Sequence, residues 1–457
     1  MDLKRINSLL KIDYEAKHMN PENKMNYKGN QKEENPNISK DQKLIEEVES
    51  ICKEREPFKH IQELDYPRRA GSLEESKAAK YIENTFRDYG FDPELEEFYL
   101  PSQSKALNML LPVLFIGWGL FSFINIMFIP GILQYIFAFL VLLVPALIFI
   151  ALLKLEIIFK RMLSRNFQKI QDLTKQIEKG TFKTPIQKGT NIYAEYIPED
   201  YQEHLYLTAH YDSTTLKFNM KSMKLLMIIG VLGFFIYIFG YLSHYLVAIF
   251  TTIHLFAKYW SFFLGTLILF LITLGAALFS RGFRTNTSHG AADDLTGTAL
   301  ILELANITKI IQPKLKITFI TFTAEEMGLF GSIYHFNIHK DSFQTEKMRV
   351  VSIDMIGEMP PLSLVSKIKP ALSLPMDPEF NNKMVELARK LGIKLKLGKF
   401  AYPGSDFASW LLNGYKVNWF INPSKFIHSP QDVGQNVNQS LLNECLRLFT
   451  AYLIEKT

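Results

Sequence analysis

The sequence has few cysteines and little net charge, and both shortages exclude classes of protein. Cys52 and Cys445 are its two cysteines; they form no CxxC pair and are too few for a disulfide framework. The formal net charge of +5 is small for 457 residues, and no nucleic-acid-binding motif is present. We therefore expect neither a disulfide-stabilised scaffold nor nucleic acid as a partner.

Charge is absent from one long segment. No Asp, Glu, Lys, Arg or His lies between Lys105 and Lys154, and a second apolar block runs from Leu225 to Ser280. A bilayer span needs about 20 apolar residues, so each block is long enough for two. Buried core helices are the alternative, but hydrophobicity on all faces over this length is more typical of membrane spans. The pattern predicts two transmembrane helical hairpins, with spans at residues 107–128, 132–153, 225–249 and 260–279.

Outside these blocks the pattern is that of an α/β domain. Short β-branched or aromatic runs alternate with helical patterns such as residues 294–307 and 379–392. This predicts a mostly parallel or mixed sheet with helices on both faces, and in such sheets sites lie at the carboxyl ends of strands. The predicted strands are NIYAEYI (191–197), HLYLTAH (204–210), KITFITFT (316–323), RVVSIDMI (349–356) and VNWFIN (417–422).

One helix is predicted from its end signals. In GSLEESKAAKYIENTFRDYG, residues 71–90, Ser72 is the expected N-cap and Glu75 would complete a capping box. Gly90 would end the helix, because glycine adopts the left-handed conformation common after a last turn.

Histidine and acidic residues collect where the predicted strands end. Each such pair alone is usually a solvated loop or a cap, but recurrence after separate strands is harder to dismiss. Imidazoles and carboxylates together suit zinc, and two histidines among several carboxylates indicate two metal ions sharing one carboxylate, about 3.5 to 4 Å apart. The residues are His210, Asp212, Asp293, Asp294, Glu325, Glu326, Asp354, His428 and Asp432.

Two of these carboxylates are adjacent. Side chains of neighbouring residues on an extended backbone point to opposite sides, so Glu325 and Glu326 are expected to differ in role. One glutamate would ligate a metal ion, and the other would face the activated water as general base.

Six motifs in order carry a resemblance to a known family: HYD, GAADDLTG, AEEMGLFGS, IDMIG, YPGSDFASW and IHSPQD. The sequence resembles the zinc aminopeptidases whose catalytic domains also occur in glutaminyl cyclases, glutamate carboxypeptidases and transferrin receptors. The resemblance implies a three-layer α/β/α peptidase domain with a mixed central sheet. The two hairpins predicted from hydropathy would interrupt this domain, which departs from the family pattern. The expected divisions are a disordered polar tail (1–43), peptidase segments (44–104, 155–222 and 281–457) and transmembrane hairpins (105–154 and 223–280).

The resemblance also implies a role for each site residue. His210 and Asp354 would bind one zinc ion, and Asp293 would bridge to the second. Glu326 and His428 would complete the second site, leaving Glu325 as the base. Asp212 would orient His210, and Tyr402 would steady the oxyanion. Asp294 and Asp432 are expected to be structural loop residues.

Three functions remain open on this basis. A membrane-embedded aminopeptidase would use a dizinc-activated water to remove N-terminal residues from peptides, and the complete ligand set favours it. A glutaminyl cyclase-like transferase would use one zinc ion. A non-catalytic membrane binding protein with a vestigial site, as in the transferrin receptors, is the third.

Basic residues flank the predicted spans on one side, whereas the two hairpin turns contain Lys258 alone. The four spans predict a multi-pass membrane protein that has the lipid bilayer as a partner. By the positive-inside rule, its catalytic domain and both termini are expected to be cytoplasmic. The flanking residues are Lys105, Lys154, Lys160, Arg161, Arg165, Lys169, Lys217, Lys221, Lys224, Arg281 and Arg284.

Overall fold

A computed structural model describes residues 36–101, 155–181, 186–216, 284–368, 374–400, 404–422 and 424–457, with the isolated positions 143, 225 and 228. In these ranges the α-helices are α1 (Pro36–Cys52), α2 (Pro57–Glu63), α3 (Leu73–Asp88), α4 (Leu155–Glu178), α5 (Thr296–Ile311), α6 (Phe330–His339), α7 (Pro378–Lys390), α8 (Ala408–Leu412) and α9 (Gln439–Ile454). The strands are β1 (Glu94–Tyr99), β2 (Lys188–Tyr196), β3 (His204–His210), β4 (Thr215–Leu216), β5 (Arg284–Thr285), β6 (Lys316–Phe322), β7 (Met348–Asp354), β8 (Leu362–Ile368), β9 (Leu374–Pro375), β10 (Leu395–Phe400) and β11 (Lys416–Ile421).

A large mixed sheet forms the centre of the described structure. Its strand order is β1-β2-β6-β3-β7-β11-β8-β10, with β9 paired to β8. The neighbours β6, β3, β7 and β11 are mutually parallel, whereas β2 runs antiparallel to both β1 and β6. The prediction of an α/β fold with a mixed central sheet is therefore confirmed.

Helices contact both faces of this sheet. Alternate strand residues point to opposite sides, and the strands carry apolar side chains on both. On one face Tyr206, Phe322 and Trp419 pack in one buried cluster with Phe336 of α6 and Trp410 of α8. On the other face β11 contributes Phe420, whose ring lies 5.0 Å from that of Phe449 in α9. Helix α5 also contacts β3, β6 and β7.

The parallel strands bring their carboxyl ends to one edge of the sheet. Strand β3 ends at His210 and β7 ends at Asp354. Strand β6 ends at Phe322, shortly before Glu325. Three sequence-distant segments with predicted site residues therefore meet at this edge.

Helix α3 matches its predicted ends but not its predicted capping box. The Ser72 hydroxyl oxygen accepts a hydrogen bond from the Glu75 backbone N (3.1 Å), and Gly90 has a φ of +77°. The backbone N of Ser72 donates to the carbonyl of Arg69 instead of to Glu75. The Glu75 carboxylate is buried and accepts hydrogen bonds from Tyr211 (2.6 Å) and Thr323 (2.8 Å). The capping-box role is wrong because tertiary partners take up this carboxylate.

Among the described residues, no helix is both long enough and apolar enough to cross a bilayer. Helix α4 has 24 residues, but charged side chains such as Glu156, Lys160 and Arg161 interrupt the apolar run that a span requires. The prediction of a multi-pass membrane protein with a cytoplasmic catalytic domain is wrong on this finding. The segments predicted as spans, 107–128, 132–153, 225–249 and 260–279, lie outside the described residues apart from isolated positions.

The chain divides into two units, Met1–Ser50 and Ile51–Thr457. In the first unit α1 begins at Pro36, so residues 36–43, predicted as part of a disordered tail, are helical. The apolar residues Leu44, Ile45 and Val48 have helical spacing, and the helical segment extends upstream of them. The other predicted domain boundaries stay predictions.

Candidate metal centre

The five predicted metal ligands lie together at the carboxyl edge of the sheet. They form two groups of three, His210 with Asp293 and Asp354, and Glu326 with His428 and the same Asp293. In each group the potential ligand atoms all lie within 4.8 Å of one another. The structure therefore offers two sets of three donors that share one carboxylate.

Asp293 is the geometric link between the two groups. Its Oδ1 lies 3.2 Å from Nε2 of His210, and its Oδ2 lies 3.1 Å from Nε2 of His428. His428 Nε2 is also 2.8 Å from Oε1 of Glu326. Each carboxylate oxygen of Asp293 thus faces one of the two histidines.

The backbone turns sharply where ligands leave their strands. Ala324, Met355 and His428 have φ values of 57°, 57° and 55°, a left-handed conformation that costs a non-glycine residue about 1 kcal/mol or more. Ala324 precedes Glu325, and Met355 follows Asp354. Surrounding structure must stabilise these turns, and such conformations cluster at functional sites.

Asp432 holds the loop that carries Asp293. Its carboxylate oxygens accept hydrogen bonds from the backbone N of Ala292 (2.6 Å) and of Asp293 (3.3 Å). This loop is the segment Ala291–Leu295, in which Asp293 and Asp294 have non-helical backbone angles and which leads directly into α5. Asp432 therefore supports a predicted ligand from the backbone side, which agrees with its expected structural role.

Asp294 connects the ends of two strands. One of its carboxylate oxygens accepts from the backbone N of Gly297 (2.8 Å) and of Met355 (3.1 Å). The other accepts from the backbone N of His210 (3.3 Å). The side chain is fully buried, so Asp294 fixes the spacing between the strand ends that carry His210 and Asp354.

Asp212 supports both His210 and the adjacent glutamates. Nδ1 of His210 lies 3.1 Å from the Asp212 backbone oxygen and 3.5 Å from its carboxylate. That carboxylate accepts hydrogen bonds from the backbone N of Glu325 (3.0 Å) and of Glu326 (3.3 Å). The predicted orienting contact to His210 thus comes mainly from the backbone oxygen, and the side chain holds the glutamate turn.

The two adjacent glutamates occupy different positions. Glu326 contacts His428, and it also receives the guanidinium of Arg284, whose Nη1 lies 3.0 Å from Oε2 and 2.6 Å from the Glu326 backbone oxygen. Glu325 belongs to neither three-donor group, yet it lines the same cavity as Asp293 and Asp354. Both glutamates line this cavity, but Glu326 alone of the two belongs to a donor group.

Arg68 is a supporting residue that the sequence analysis missed. Its fully buried guanidinium donates to the backbone carbonyls of Leu64 (2.6 Å), Tyr211 (2.8 Å) and His289 (2.5 Å). Burial lowers its pKa to about 10. Arg68 connects the end of β3 with the segment that leads to Asp293. Its sequence position shows no signal, since its partners lie up to 222 residues away.

Among the described residues, buried carboxylates outnumber the buried guanidinium and imidazole groups that could balance them, and the pKa values reflect this. Burial raises the pKa of Asp354 to about 6 and that of Glu325 well above its usual range. Burial alone would raise the pKa of Asp293, but hydrogen bonds from the two histidines outweigh it and lower that pKa. Burial alone would lower the pKa of His428, yet the carboxylates of Glu326 and Asp293 raise it to about 10.

These residues fit a bound metal. Oδ1 of Asp354 is buried and accepts no hydrogen bond from the described residues, so an acceptor atom is left for a cation. Imidazole nitrogens and carboxylate oxygens are the donors that zinc accepts.

A cavity of about 260 Å³ opens beside the cluster. Its walls include Glu325 and Arg284 together with the apolar side chains of Phe159, Leu329 and Ile427. Tyr402, the predicted oxyanion contact, lies outside the described residues.

Residues 273–453, which include four of the five clustered ligands, match peptidase family M28. Over these residues the chain is similar to that family. The match confirms the prediction of a zinc-metallopeptidase family, and zinc is the metal expected in it.

Curated relatives are similar over parts of their length. The chain is 29% identical over 177 residues to a probable zinc metalloprotease of Pyrenophora tritici-repentis (strain Pt-1C-BFP), covering 32% of this chain and 36% of the relative. It is 38% identical over 71 residues to Aminopeptidase YwaD of Bacillus subtilis (strain 168), covering 15% of each. The chain thus spans about a third or less of the length of these relatives.

Two solved structures are similar over most of their length. The aminopeptidase from Aneurinibacillus sp. strain AM-1 has 14% identity and a TM-score of 0.49, covering 90% of this chain and 96% of that one. The Fimbriiglobus ruber glutaminyl cyclase has 12% identity and a TM-score of 0.47, covering 91% and 95%. Similarity at this level supports no conclusion about function.

Proposed function

We propose that this chain is a zinc aminopeptidase that removes N-terminal residues from peptides at a centre of two zinc ions. The observation that carries the proposal is the position of Asp293, whose two carboxylate oxygens face His210 and His428 at 3.2 and 3.1 Å. A carboxylate shared by two three-donor sets is the arrangement that a two-metal hydrolytic centre needs.

Each ligand then has a defined place. His210 and Asp354 would hold one zinc ion, Glu326 and His428 would hold the other, and Asp293 would contact both. In such a centre zinc supplies Lewis acidity toward a water molecule and a peptide carbonyl. The Asp293 carboxylate would hold both ions, and Asp432 fixes the loop that carries it.

Glu325 is the general base in this proposal. Its backbone N is held by Asp212 at 3.0 Å, and its side chain lines the cavity without belonging to either donor set. These contacts support a role in which Glu325 would take a proton from the attacking water and return it to the leaving amine.

The cavity walls indicate the class of N-terminal residue that fits. Phe159, Met162, Leu329, Ile421 and Ile427 line it, and an apolar wall favours an apolar side chain. We therefore expect a preference for substrates that begin with residues such as leucine or phenylalanine. The contribution of Tyr402 to oxyanion stabilisation stays a prediction.

The decisive experiment separates the two glutamates. Glu325→Gln should keep its zinc yet lose roughly two or more orders of magnitude in kcat, because it removes the base and keeps the shape. Glu326→Ala should lose zinc as well as activity, because it removes a ligand. Zinc is counted by elemental analysis of the purified chain, and Glu346→Gln, a change at an exposed glutamate, is the matched control. Full turnover by Glu325→Gln would contradict the proposal.

A substrate panel tests the reaction itself. Leucyl, lysyl and glutamyl p-nitroanilides are compared with a peptide that begins with glutamine. Release of the free N-terminal residue, fastest for leucine, is the expected result. Cyclisation of the glutaminyl peptide by an enzyme with one zinc ion would instead favour the glutaminyl cyclase alternative.

A further inference from the structure

A second cluster of histidine and carboxylate shares no residue with the candidate metal centre. Glu96 of β1 meets His335 and His339 of α6, and the potential ligand atoms of the three all lie within 4.8 Å of one another. The two histidines are four residues apart on one helix, so their side chains lie on the same face. The third donor comes from an edge strand distant in sequence.

The donor atoms converge closely. Nδ1 of His335 lies 2.8 and 2.9 Å from the two carboxylate oxygens of Glu96. Nε2 of His339 lies 2.6 Å from Oε1 of the same carboxylate. The imidazole–carboxylate distances in the candidate metal centre are 2.8 to 3.2 Å, so the two clusters are similarly compact.

The surroundings hold the donors in place. The His335 side chain is 1% exposed and lies among the rings of Tyr193, Phe322 and Trp410 at 5.5 to 6.1 Å. Asn191 donates from Nδ2 to Oε2 of Glu96 at 3.1 Å, the kind of contact that orients a ligating carboxylate.

One side of the cluster is open to solvent. The His339 side chain is 32% exposed, which provides a path for an ion to enter and for water to complete its coordination.

We propose that Glu96, His335 and His339 bind a zinc ion at a site separate from the candidate metal centre. Two imidazoles and one carboxylate form a recurrent set of three protein ligands for zinc, with solvent in the fourth position. The ion would join β1, at the edge of the sheet, to α6. The proposal does not depend on the peptidase activity.

The alternative is a metal-free hydrogen-bonded network of the same three side chains. Both arrangements require the side chains to be close, but only one predicts a zinc equivalent that depends on them. The test is therefore a count of bound metal in matched variants of the full chain.

Apo protein is prepared with a chelator, titrated with Zn²⁺ alone and freed of unbound ion before elemental analysis. His339→Ala and Glu96→Gln should each bind one zinc fewer than the wild type, or bind it at least about tenfold more weakly. Peptidase activity in both should stay at the wild-type level. His204→Ala is the control, because this half-buried imidazole contacts Thr318 at 2.8 Å and belongs to no ligand group among the described residues; it should bind as much zinc as the wild type.

Thermal unfolding gives an independent measurement. Added zinc should raise the Tm of the wild type and of His204→Ala more than that of His339→Ala, because an additional ion binds the folded state. Equal zinc counts and equal Tm shifts in His339→Ala and the wild type would overturn the proposal. Should Glu96→Gln fail to fold, His339→Ala decides alone, since its partly exposed side chain is removed without opening a core cavity.

Discussion

The two histidine–carboxylate clusters are built in different ways. The candidate metal centre takes its donors from the ends of β3 and β7 and from three loops, which are brought together by the parallel order of the sheet. The Glu96 cluster takes two donors from one face of α6 and one from β1. The first cluster exists only if the whole sheet is assembled, whereas two thirds of the second are present in a single helical turn.

This difference shows in what supports each cluster. Around the candidate centre, Asp294, Asp432 and Arg68 are buried, and they hold a backbone that includes left-handed turns. The Glu96 cluster is supported by a regular helix, which carries both histidines, and by Asn191, which donates a hydrogen bond to Glu96. Asn191 also accepts from the backbone N of Thr323 at 3.3 Å, so it links β1 to the strand end before Glu325. A site assembled from loops needs many buried supports, and a site on a helix needs few.

The largest effect is expected from a substitution that disrupts the candidate metal centre and leaves the Glu96 cluster intact. Asp293→Ala removes the carboxylate that faces both His210 and His428. We expect loss of the two zinc ions proposed for the candidate centre and a loss of activity of at least about two orders of magnitude, while the ion proposed for the Glu96 cluster should stay bound. Elemental analysis and circular dichroism of the folded variant check this. An unchanged zinc count would refute the shared-carboxylate arrangement.

A steric change should test how tightly the candidate centre is supported. A Cβ at Gly297 would lie 2.2 Å from the backbone oxygen of Ile353 and 2.5 Å from Oδ2 of Asp294. Gly297→Ala should therefore lower the free energy of unfolding by about 3 kcal/mol. At Gly398 the atom nearest to an added Cβ would be Ser363 Oγ at 3.4 Å. Gly398→Ala should therefore change the free energy of unfolding by less than about 0.5 kcal/mol. Urea unfolding of both variants measures the difference, and equal values would show a looser packing.

The buried carboxylate beneath the candidate centre should make stability depend on pH. Burial raises the pKa of Glu75 to about 7, above its value in the unfolded chain. Its stabilising contribution is therefore complete below pH 4.5 and is lost as pH rises through 7. Glu75→Gln keeps an acceptor for Tyr211 but cannot ionise. Its free energy of unfolding should therefore rise by roughly 2 kcal/mol relative to that of the wild type between pH 4.5 and 8.

Urea unfolding at several pH values measures this change. Glu74→Gln, on the neighbouring residue, is the control and should follow the wild type. A Glu75→Gln variant with the same pH dependence as the wild type would show that this carboxylate does not titrate over that range.

The smallest expected effect concerns the support of the shared ligand. Asp432→Asn can accept only one of the two backbone hydrogen bonds from Ala292 and Asp293. Zinc should bind the candidate centre about tenfold more weakly, with no change at the Glu96 cluster. Zinc titration against a competing chelator measures this, with the exposed Asp341→Asn as control. Weaker binding at both clusters would mean that the two regions are coupled.

Local patterns predicted much of the fold. Strand β3 has its predicted bounds, and β6 and β11 differ from theirs by one residue or so, because runs of β-branched and aromatic residues fit a pleated, half-buried surface. Nine candidate residues could be located because acidic and histidine residues recur after strands, and the resemblance to zinc aminopeptidases implied which five of them would be ligands. Their roles as ligands stay predictions, although their convergence is observed.

Other features could not be read from local patterns. Glu75 has the sequence position of a capping-box residue. Its carboxylate instead accepts a hydrogen bond from Tyr211, 136 positions away. Arg284 stands at the end of an apolar block with no sign of its contact to Glu326. The four-span membrane assignment rested on hydropathy, and no described helix supports it.

The sequence by itself determined where strands and helices form and which residue types end the strands, because these depend on side-chain periodicity and on the carboxyl-end rule for parallel strands. Only the tertiary structure decided which side chains face one another. His335 and His339 are visible as a helical pair, but Glu96 joins them across 239 residues through the pairing of β1 with β2. Such contacts are set by strand order and by buried supports such as Arg68 and Asp294, whose partners are backbone atoms with no sequence signature.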